Sequence, residues 1–162
     1  MVRLSNNRTY RSMKRDRHTS GVNIAAADGV DPRRSALMAR VRSKDSKPEL
    51  VVRKLAHRLG YRFRLHRRDL PGTPDLVFPR FRKVIFVHGC FWHRHRGCSR
   101  TTNPKTRAAF WAKKFQQNTR RDRRKQGQLK GLGWDVLVVW ECETFDHREV
   151  SRRLRAFLSG HH

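Results

Sequence analysis

Residues 75–87 read DLVFPRFRKVIFV, two short apolar runs separated by a turn that contains Pro79 and Arg80. Short runs rich in Val, Ile and Phe, bounded by turn residues, are typical of β-strands. We predict one strand over residues 75–78 and another over residues 83–87. The other elements of the predicted fold lie on either side of this pair.

A helix and a further strand are predicted before this pair. Ser46 and Glu49 stand three positions apart with Pro48 between them, which matches a capping box with proline in the first turn. Gly60 ends this helix, and residues 61–65 then alternate as a strand does. The apolar face of the helix is formed by Leu50, Val51, Leu55 and Leu59.

A second group of elements follows the pair. A polar, histidine-rich loop is predicted over residues 88–103, then a helix over 106–132, a buried strand over 135–140 and a last helix over 148–158. This order predicts an α/β fold, a mixed sheet flanked by helices.

The charge of the chain indicates its class of partner. Thirty-nine Lys and Arg stand against thirteen Asp and Glu, a formal net charge of +26 over 162 residues. Such a field attracts a polyanion, so we expect nucleic acid; a merely basic, ribosomal-type surface is the alternative. We assign one domain to residues 34–160. We predict that residues 1–33 form a flexible basic arm, which either orders on DNA or stays a disordered tail.

The location of the protein follows from what the sequence lacks. No apolar run approaches the roughly 20 residues that a membrane span needs, and the N-terminus does not resemble a secretory signal. Three cysteines cannot all pair within one chain, which favours a reducing compartment. We therefore expect no membrane partner and a cytoplasmic protein.

Asp75 is a candidate metal ligand. It follows a turn of two prolines and a glycine, which holds its carboxylate at a fixed point at the sheet edge. Oxygen ligands of this kind suit Mg²⁺. The alternative is a simple turn cap. Metal binding gains support because the next strand ends twelve residues later, at Val87 and His88.

A cysteine and histidine cluster follows that strand. Residues 88–98 contain two cysteines and three histidines, and Cys142 lies at the end of the last predicted strand. This density predicts tetrahedral zinc, whereas a basic loop with buried cysteines is the alternative. The spacing does not say which histidine binds the metal. At least one is left over, and it is a candidate general base beside Asp75.

Aromatic and basic residues indicate DNA contacts. Phe91, Trp92, Phe110 and Trp111 stand among Lys and Arg, where aromatic side chains can insert between base pairs; core packing is the alternative. Unstacking of bases is least costly at a mismatch, so insertion of aromatic side chains favours binding at mismatched base pairs. Residues 118–125 form a basic helical stretch that either follows phosphates or is a solvated face.

Three stretches together resemble the very short patch repair (Vsr) mismatch endonucleases. They are residues 48–95, which end in FVHGCFWHRH, residues 106–124, TRAAFWAKKFQQNTRRDRR, and residues 133–142, GWDVLVVWEC. The resemblance implies a restriction-endonuclease-like fold and Mg²⁺-dependent nicking on the 5′ side of the thymine in a T:G mismatch. Such mismatches arise when 5-methylcytosine deaminates. The resemblance therefore implies double-stranded DNA as substrate, a bacterial cytosine methyltransferase and repair proteins as functional partners, and a monomer.

The resemblance also implies catalytic roles. Asp75 would bind Mg²⁺ together with the backbone carbonyl of Val87. His93 matches the general base, His88 lies close to the scissile phosphate, and Glu49 is a supporting carboxylate.

Metal and DNA contacts are implied in the same way. The zinc ligands would be Cys90, His95, Cys98 and Cys142, with Cys98 one position later than is usual and Gly97 absorbing the extra residue. The DNA contacts would be Phe91, Trp92 and Trp111 from the major groove, Met38 from the minor groove, and Asn118 and Arg121 along the basic helix. Two alternatives stay open: a nuclease for another mismatch or context, and a non-catalytic, zinc-stapled DNA-binding module.

Overall fold

The computed structural model describes residues 44–160. The predicted basic arm over residues 1–33 and the DNA contact at Met38 lie outside the described residues.

Four helices and four strands make up the described part of the chain. The helices are α1 (Lys47–Arg58), α2 (Cys90–His93), α3 (Ala108–Gly131) and α4 (His147–Ser159). The strands are β1 (Arg64–Leu65), β2 (Leu76–Phe78), β3 (Lys83–His88) and β4 (Asp135–Trp140). Short 3₁₀ helices follow β2 (Pro79–Phe81) and β4 (Glu141–Phe145).

The sheet is mixed, as predicted. Its strands lie in the order β1-β2-β3-β4; β1–β2 and β2–β3 are antiparallel, and β3–β4 is parallel. A parallel pair needs a long crossover, and α3 provides it. The register places His88 opposite Trp140, so β3 and β4 end side by side.

The two faces of the sheet carry separate apolar clusters. Alternate residues point to opposite faces, so Leu76, Phe78 and Ile85 pack with α1 and α4. Val77 and Val84 lie on the other face, where Leu129 of α3 covers them. The sheet is therefore sandwiched between helices.

The structure corrects four local predictions. The strand predicted over residues 61–65 is paired only at Arg64–Leu65, because the rings of Tyr61 and Phe63 pack on Phe78. The predicted loop over 88–103 contains the one-turn helix α2. Strand β4 is mostly half-buried, since it pairs on one side only within the described sheet. Asp75 precedes an inner strand rather than an edge strand.

Candidate active site and metal-binding cluster

The turn before β2 fixes the position of Asp75. Gly72 has a φ of +81°, and a Cβ there would lie 3.1 Å from the Cβ of Lys125 and 3.3 Å from the ring of Phe86. Only glycine combines this conformation with such a close approach to α3. The Oδ2 atom of Asp75 accepts a hydrogen bond of 2.7 Å from the amide of Val87. The carboxylate is thus tied to the neighbouring strand.

A second carboxylate, Glu49, lies beside Asp75. Glu49 is 3% exposed and completes the predicted capping box, in which it accepts from the amide of Ser46. Burial, and then the hydrogen bond with Glu49, raise the pKa of Asp75 to about 8, against the lowering effect of the Val87 amide. Two buried carboxylates side by side disfavour full ionisation, and a bound cation would relieve this. These residues therefore fit a divalent cation.

Two histidines and an aspartate form a second group. The rings of His88 and His93 stack with centroids 3.9 Å apart. The Nδ1 atom of His93 lies 2.6 Å from Oδ2 of Asp122. An ionised carboxylate only accepts, so His93 donates from Nδ1 and keeps the Nε2 lone pair for another proton. This is the arrangement of an oriented general base.

The pKa directions agree with these roles. Burial, and then the charge of His93, lower the pKa of His88 to about 3, so His88 is neutral near pH 7. Burial acts to raise the pKa of Asp122, but the hydrogen bond and charge of His93 outweigh it and leave this pKa below its ordinary value.

Asp122 is a site residue that the sequence reasoning missed. It stands within the basic stretch 118–125, which was interpreted only as a phosphate-binding or solvated face. The available signal was that Asp122 is the only acidic residue of that stretch. An isolated acid among arginines on a helix is well placed to pair with a histidine from elsewhere in the chain.

One cleft of about 1600 Å³ brings the two groups together. It is lined by Glu49, Asp75, Val87, His88, His93 and Asp122, and also by Trp92, Asn118 and Arg121. The predicted catalytic residues are therefore juxtaposed, although they come from α1, the turn before β2, β3 and α2. Asn118 donates a 3.2 Å hydrogen bond to the carbonyl of Trp92, so it also holds the aromatic segment.

A cysteine and histidine group lies beyond the ends of β3 and β4. The ligand atoms of Cys90, His95, Cys98 and Cys142 all lie within 4.8 Å of one another. His95 Nδ1 is 3.3 Å from the Cys142 sulfur and 3.7 Å from the Cys90 sulfur. Ligands of a tetrahedral zinc lie about 3.3–3.8 Å apart, so these atoms fit one ion. Of the three histidines, His95 belongs to this group.

The backbone and the thiols suit metal binding. Gly97 has a φ of +74°, which lets the chain turn back and bring Cys98 into the group despite its later position. Burial raises the pKa of the Cys90 thiol to about 12. A buried thiol of this kind stays protonated unless a metal ion replaces its proton.

Aromatic rings connect this group to the cleft. His95 stacks on Trp140 with centroids 4.3 Å apart, and the edge of Trp140 meets His88 at 5.5 Å. The amide of Cys90 donates to the carboxylate of Glu141 at 3.2 Å. The cysteine and histidine group thus fixes the same strand ends that present His88.

An aromatic cluster lies around Trp92, which lines the cleft. The ring of Phe91 contacts Trp92, Trp111 and Phe115 at centroid distances of 5.1, 5.7 and 5.1 Å. Phe91, Trp92 and Trp111 are half-buried, which leaves part of each ring accessible. Phe110 is 45% exposed with the guanidinium of Arg107 over its ring, so core packing is excluded for Phe110.

Comparisons with known proteins identify the family of the chain. Residues 27–100 match the family model "DNA mismatch endonuclease Vsr". The type II nicking enzyme V.XorIIP of Xanthomonas oryzae pv. oryzae is 55% identical over 132 residues, which are 81% of this chain and 96% of that enzyme. The chain belongs to the Vsr family of DNA mismatch endonucleases. The Vsr endonuclease of Escherichia coli K12 is 39% identical over 132 residues, 78% of this chain and 84% of its own.

A solved structure agrees with the Vsr assignment at the level of the fold. The catalytic domain of the homing endonuclease I-Bth0305I matches with a TM-score of 0.50 and 18% identity, over 70% of this chain and 94% of that domain. At this identity the match shows an endonuclease-like fold. Membership of the Vsr family makes the protein a DNA-nicking hydrolase rather than a purely non-catalytic DNA-binding module. Within residues 44–160, none of the helices has the length and apolar character that a membrane crossing requires.

Proposed function

We propose that the protein nicks the thymine-bearing strand on the 5′ side of a T:G mismatch by Mg²⁺-dependent hydrolysis. The observation that carries the proposal is the cleft in which the His93–Asp122 pair and the Glu49–Asp75 carboxylates lie together. A base and a cation-binding group in one cleft meet the two requirements of phosphodiester hydrolysis by water.

Asp75 and the backbone carbonyl of Val87 are the proposed Mg²⁺ ligands, with Glu49 as the supporting carboxylate. When bound, the ion would polarise the scissile phosphate and neutralise developing charge. The anchored Oδ2 atom of Asp75 restricts the carboxylate to one orientation, which is what a positioned ligand needs.

His93 is the proposed general base. Its Nε2 atom takes a proton from water as the water oxygen attacks phosphorus, while Asp122 stabilises the resulting imidazolium. The bond from phosphorus to the 3′ oxygen breaks, and the leaving oxygen takes a proton from solvent water, which gives a 3′-hydroxyl and a 5′-phosphate. His88 is neutral and stacks on His93, so it keeps the base in place close to the phosphate.

A structural zinc is proposed for Cys90, His95, Cys98 and Cys142. Four protein ligands close a tetrahedral site and leave no open position for chemistry, so its role is to hold the loop. Because α2 begins at Cys90, this site would also hold the segment that carries His93.

Mismatch preference is assigned to the aromatic cluster. Partly accessible rings of Phe91, Trp92 and Trp111 would insert where a T:G pair stacks poorly. Asn118, Arg121 and Met38 are the further proposed DNA contacts. A cytosine methyltransferase that creates the 5-methylcytosine is the proposed functional partner. Residues 1–33 are proposed as an arm distinct from the catalytic domain.

A panel of duplexes labelled on either strand tests the proposal. The expected result is one Mg²⁺-dependent nick 5′ to the thymine of T:G, and little cutting of T:A or other mismatches. Asp75→Ala should abolish the nick, whereas Asp69→Asn, which removes an exposed carboxylate, should not. Preferential nicking of another mismatch would show that T:G is not the substrate. Undiminished nicking by Asp75→Ala would overturn the proposed role of Asp75 in Mg²⁺-dependent hydrolysis.

A further inference from the structure

A third group of metal-ligating side chains lies next to Asp75. Ligand atoms of Asp45, Glu49 and His66 lie within 4.8 Å of one another. The guanidinium of Arg53 contacts all three. Its Nη1 atom is 2.6 Å from Oδ1 of Asp45, and its Nη2 atom is 3.1 Å from Oε2 of Glu49 and 2.9 Å from Nε2 of His66. A cation is therefore already present among these ligands.

Arg53 is held in this position despite a cost. Its side chain is 12% exposed, and its Nε–H group is buried with no hydrogen-bond partner among the described residues. A guanidinium keeps its charge at any relevant pH and offers donors only. A divalent ion at the same place would meet this charge within contact distance, so Arg53 and a second metal ion exclude each other.

The backbone supports the same arrangement. Asp45 has a φ of 56° and His66 a φ of 46°, both in the left-handed region that is strained for residues with a side chain. Strain of this kind persists where the surroundings determine the conformation, and it concentrates at functional sites. Both residues direct their polar atoms to Arg53.

His66 extends the contact from Arg53 to Asp75. Because Arg53 can only donate, Nε2 of His66 is the acceptor, and in the neutral ring the proton is on Nδ1. That Nδ1 atom lies 3.9 Å from Oδ1 of Asp75, too long for a direct hydrogen bond but close enough for an electrostatic contact. The other oxygen of Asp75 is bonded to Val87. Arg53 thus acts on both carboxylates, on Glu49 directly and on Asp75 through His66.

We propose that Arg53 is the resident cation of the Asp45, Glu49 and His66 group. It takes the place of a second divalent ion and positions Glu49 and Asp75 so that the site holds one exchangeable metal. Arg53 is a positioning residue in this arrangement. The inference rests on the proposed function in that it takes Asp75 as the ligand of that metal.

Counting bound Mn²⁺ tests the proposal. The zinc-loaded full chain would be titrated with Mn²⁺, with the free ion followed by electron paramagnetic resonance. Wild type should bind one ion. Arg53→Gln frees three ligands and removes a positive charge, so it should bind a second ion or bind the first about tenfold more tightly. Arg58→Gln, an exposed arginine on the same helix, is the matched control and should behave as wild type.

Kinetics give a second measurement. Arg53→Gln should lower kcat about tenfold with KM for DNA little changed, because the carboxylates and not the DNA-binding surface are displaced. Arg53→Lys keeps the charge but cannot span the three partners, so it should still bind one ion and recover part of kcat. If thermal unfolding shows that Arg53→Gln does not fold, Arg53→Lys provides the test. A wild-type kcat for Arg53→Lys, or a second Mn²⁺ ion bound by it, would overturn the proposal.

The outcomes separate this inference from the proposed function. No Mn²⁺ bound by wild type would remove the Asp75 metal site, and with it the proposed function. One ion bound by both wild type and Arg53→Gln, at equal affinity, would leave that function standing and overturn the role of Arg53. Two ions in wild type would overturn it as well.

Discussion

The imidazole of His95 lies flat on the indole of Trp140, with the ring planes 8° apart. The same indole meets His88 edge-on, and His88 stacks on His93. A continuous row of rings therefore joins the cysteine and histidine group to the proposed general base. Rigid aromatic contacts of this kind transmit a displacement at one end to the other.

Loss of a zinc ligand should affect both stability and activity. Cys142→Ser removes one of four ligands, so zinc affinity should fall by tenfold or more, and both the Tm and the nicking rate should fall with it. Metal analysis of purified protein checks this, with about one zinc expected per wild-type chain. Ser99→Ala, an exposed change in the same loop, is the control. A fully stable wild-type protein without zinc would contradict the prediction.

Replacement of Trp140 tests the ring contacts separately from the metal. Trp140→Leu should retain about one zinc, because all four ligands remain, yet lower kcat about tenfold through a misplaced His88. Zinc content and single-turnover nicking are measured on the same sample. Phe145→Leu removes a nearby exposed aromatic residue and should leave both unchanged. Equal rates in the two variants would show that Trp140 has no positioning role.

Asp122 should be required for the chemical step. Asp122→Asn leaves His93 without an ionised partner, so kcat should fall by about 10²–10⁴ while DNA binding changes little. Single-turnover nicking and equilibrium binding to uncleaved T:G duplex separate the two effects. Asp69→Asn serves again as the carboxylate control. A variant that weakens binding but keeps the rate of chemistry would assign Asp122 to DNA contact instead.

Asp75 makes stability depend on pH. Its pKa is about 8 in the folded protein and 3.8 ordinarily, so between these values the folded state holds a proton that the unfolded chain releases. Its contribution is complete below about pH 4 and is lost as the pH rises to about 8. The Tm of Mg²⁺-free wild type minus that of Asp75→Asn should therefore fall over this range. Because His88 titrates in both proteins, its effect on the Tm is removed when one Tm is subtracted from the other.

Added Mg²⁺ should reverse that trend. Metal binding needs the ionised carboxylate, so the increase in Tm on adding Mg²⁺ should be larger near pH 8 than near pH 6. Asp75→Asn should show little increase at either pH. If Tm plotted against pH runs parallel for wild type and Asp75→Asn, both with and without Mg²⁺, then Asp75 does not hold a proton in the folded protein.

Arg121 tests the phosphate contacts of α3. This exposed residue lines the cleft beside Asp122. Arg121→Gln should reduce the slope of log Kd against log salt by about 0.9, the value for one phosphate contact. Arg152→Gln, on α4, is exposed and outside the cleft and should leave the slope unchanged. Equal slopes of log Kd against log salt in wild type and Arg121→Gln would contradict a phosphate contact by Arg121.

Local patterns predicted the parts of the fold that local forces determine. The capping box of Ser46 and Glu49 and the two runs within residues 75–87 appear as helix α1 and strands β2 and β3. The extent of β1 did not follow, because Tyr61 and Phe63 pack on a ring that the sequence alone does not place.

In the candidate site, too, features set by the local sequence could be predicted, and contacts that depend on the fold could not. The cysteine and histidine cluster was identifiable because its residue types and density are distinctive, whereas Asp75 was a candidate from its turn and gained its role from the family resemblance. Asp122 and Arg53 were not, since their roles depend on partners 29 and 13 positions away, His93 and His66, that only the fold brings into contact. The charge pattern places Asp122 in a basic helical stretch and does not distinguish Arg53 from the other arginines of the chain. Their contacts in the fold are the basis of the roles proposed for them.

Helix α2 is a single turn in which Cys90, Phe91, Trp92 and His93 are consecutive. The four side chains share one turn of backbone, so a displacement of that turn would shift all four. Under the proposed function, a duplex that accepts the rings of Phe91 and Trp92 and one that excludes them would therefore place the imidazole of His93 differently. The proposed mismatch discrimination would then act on the rate of hydrolysis itself, because an unsuitable pair would leave the attacking water without a general base.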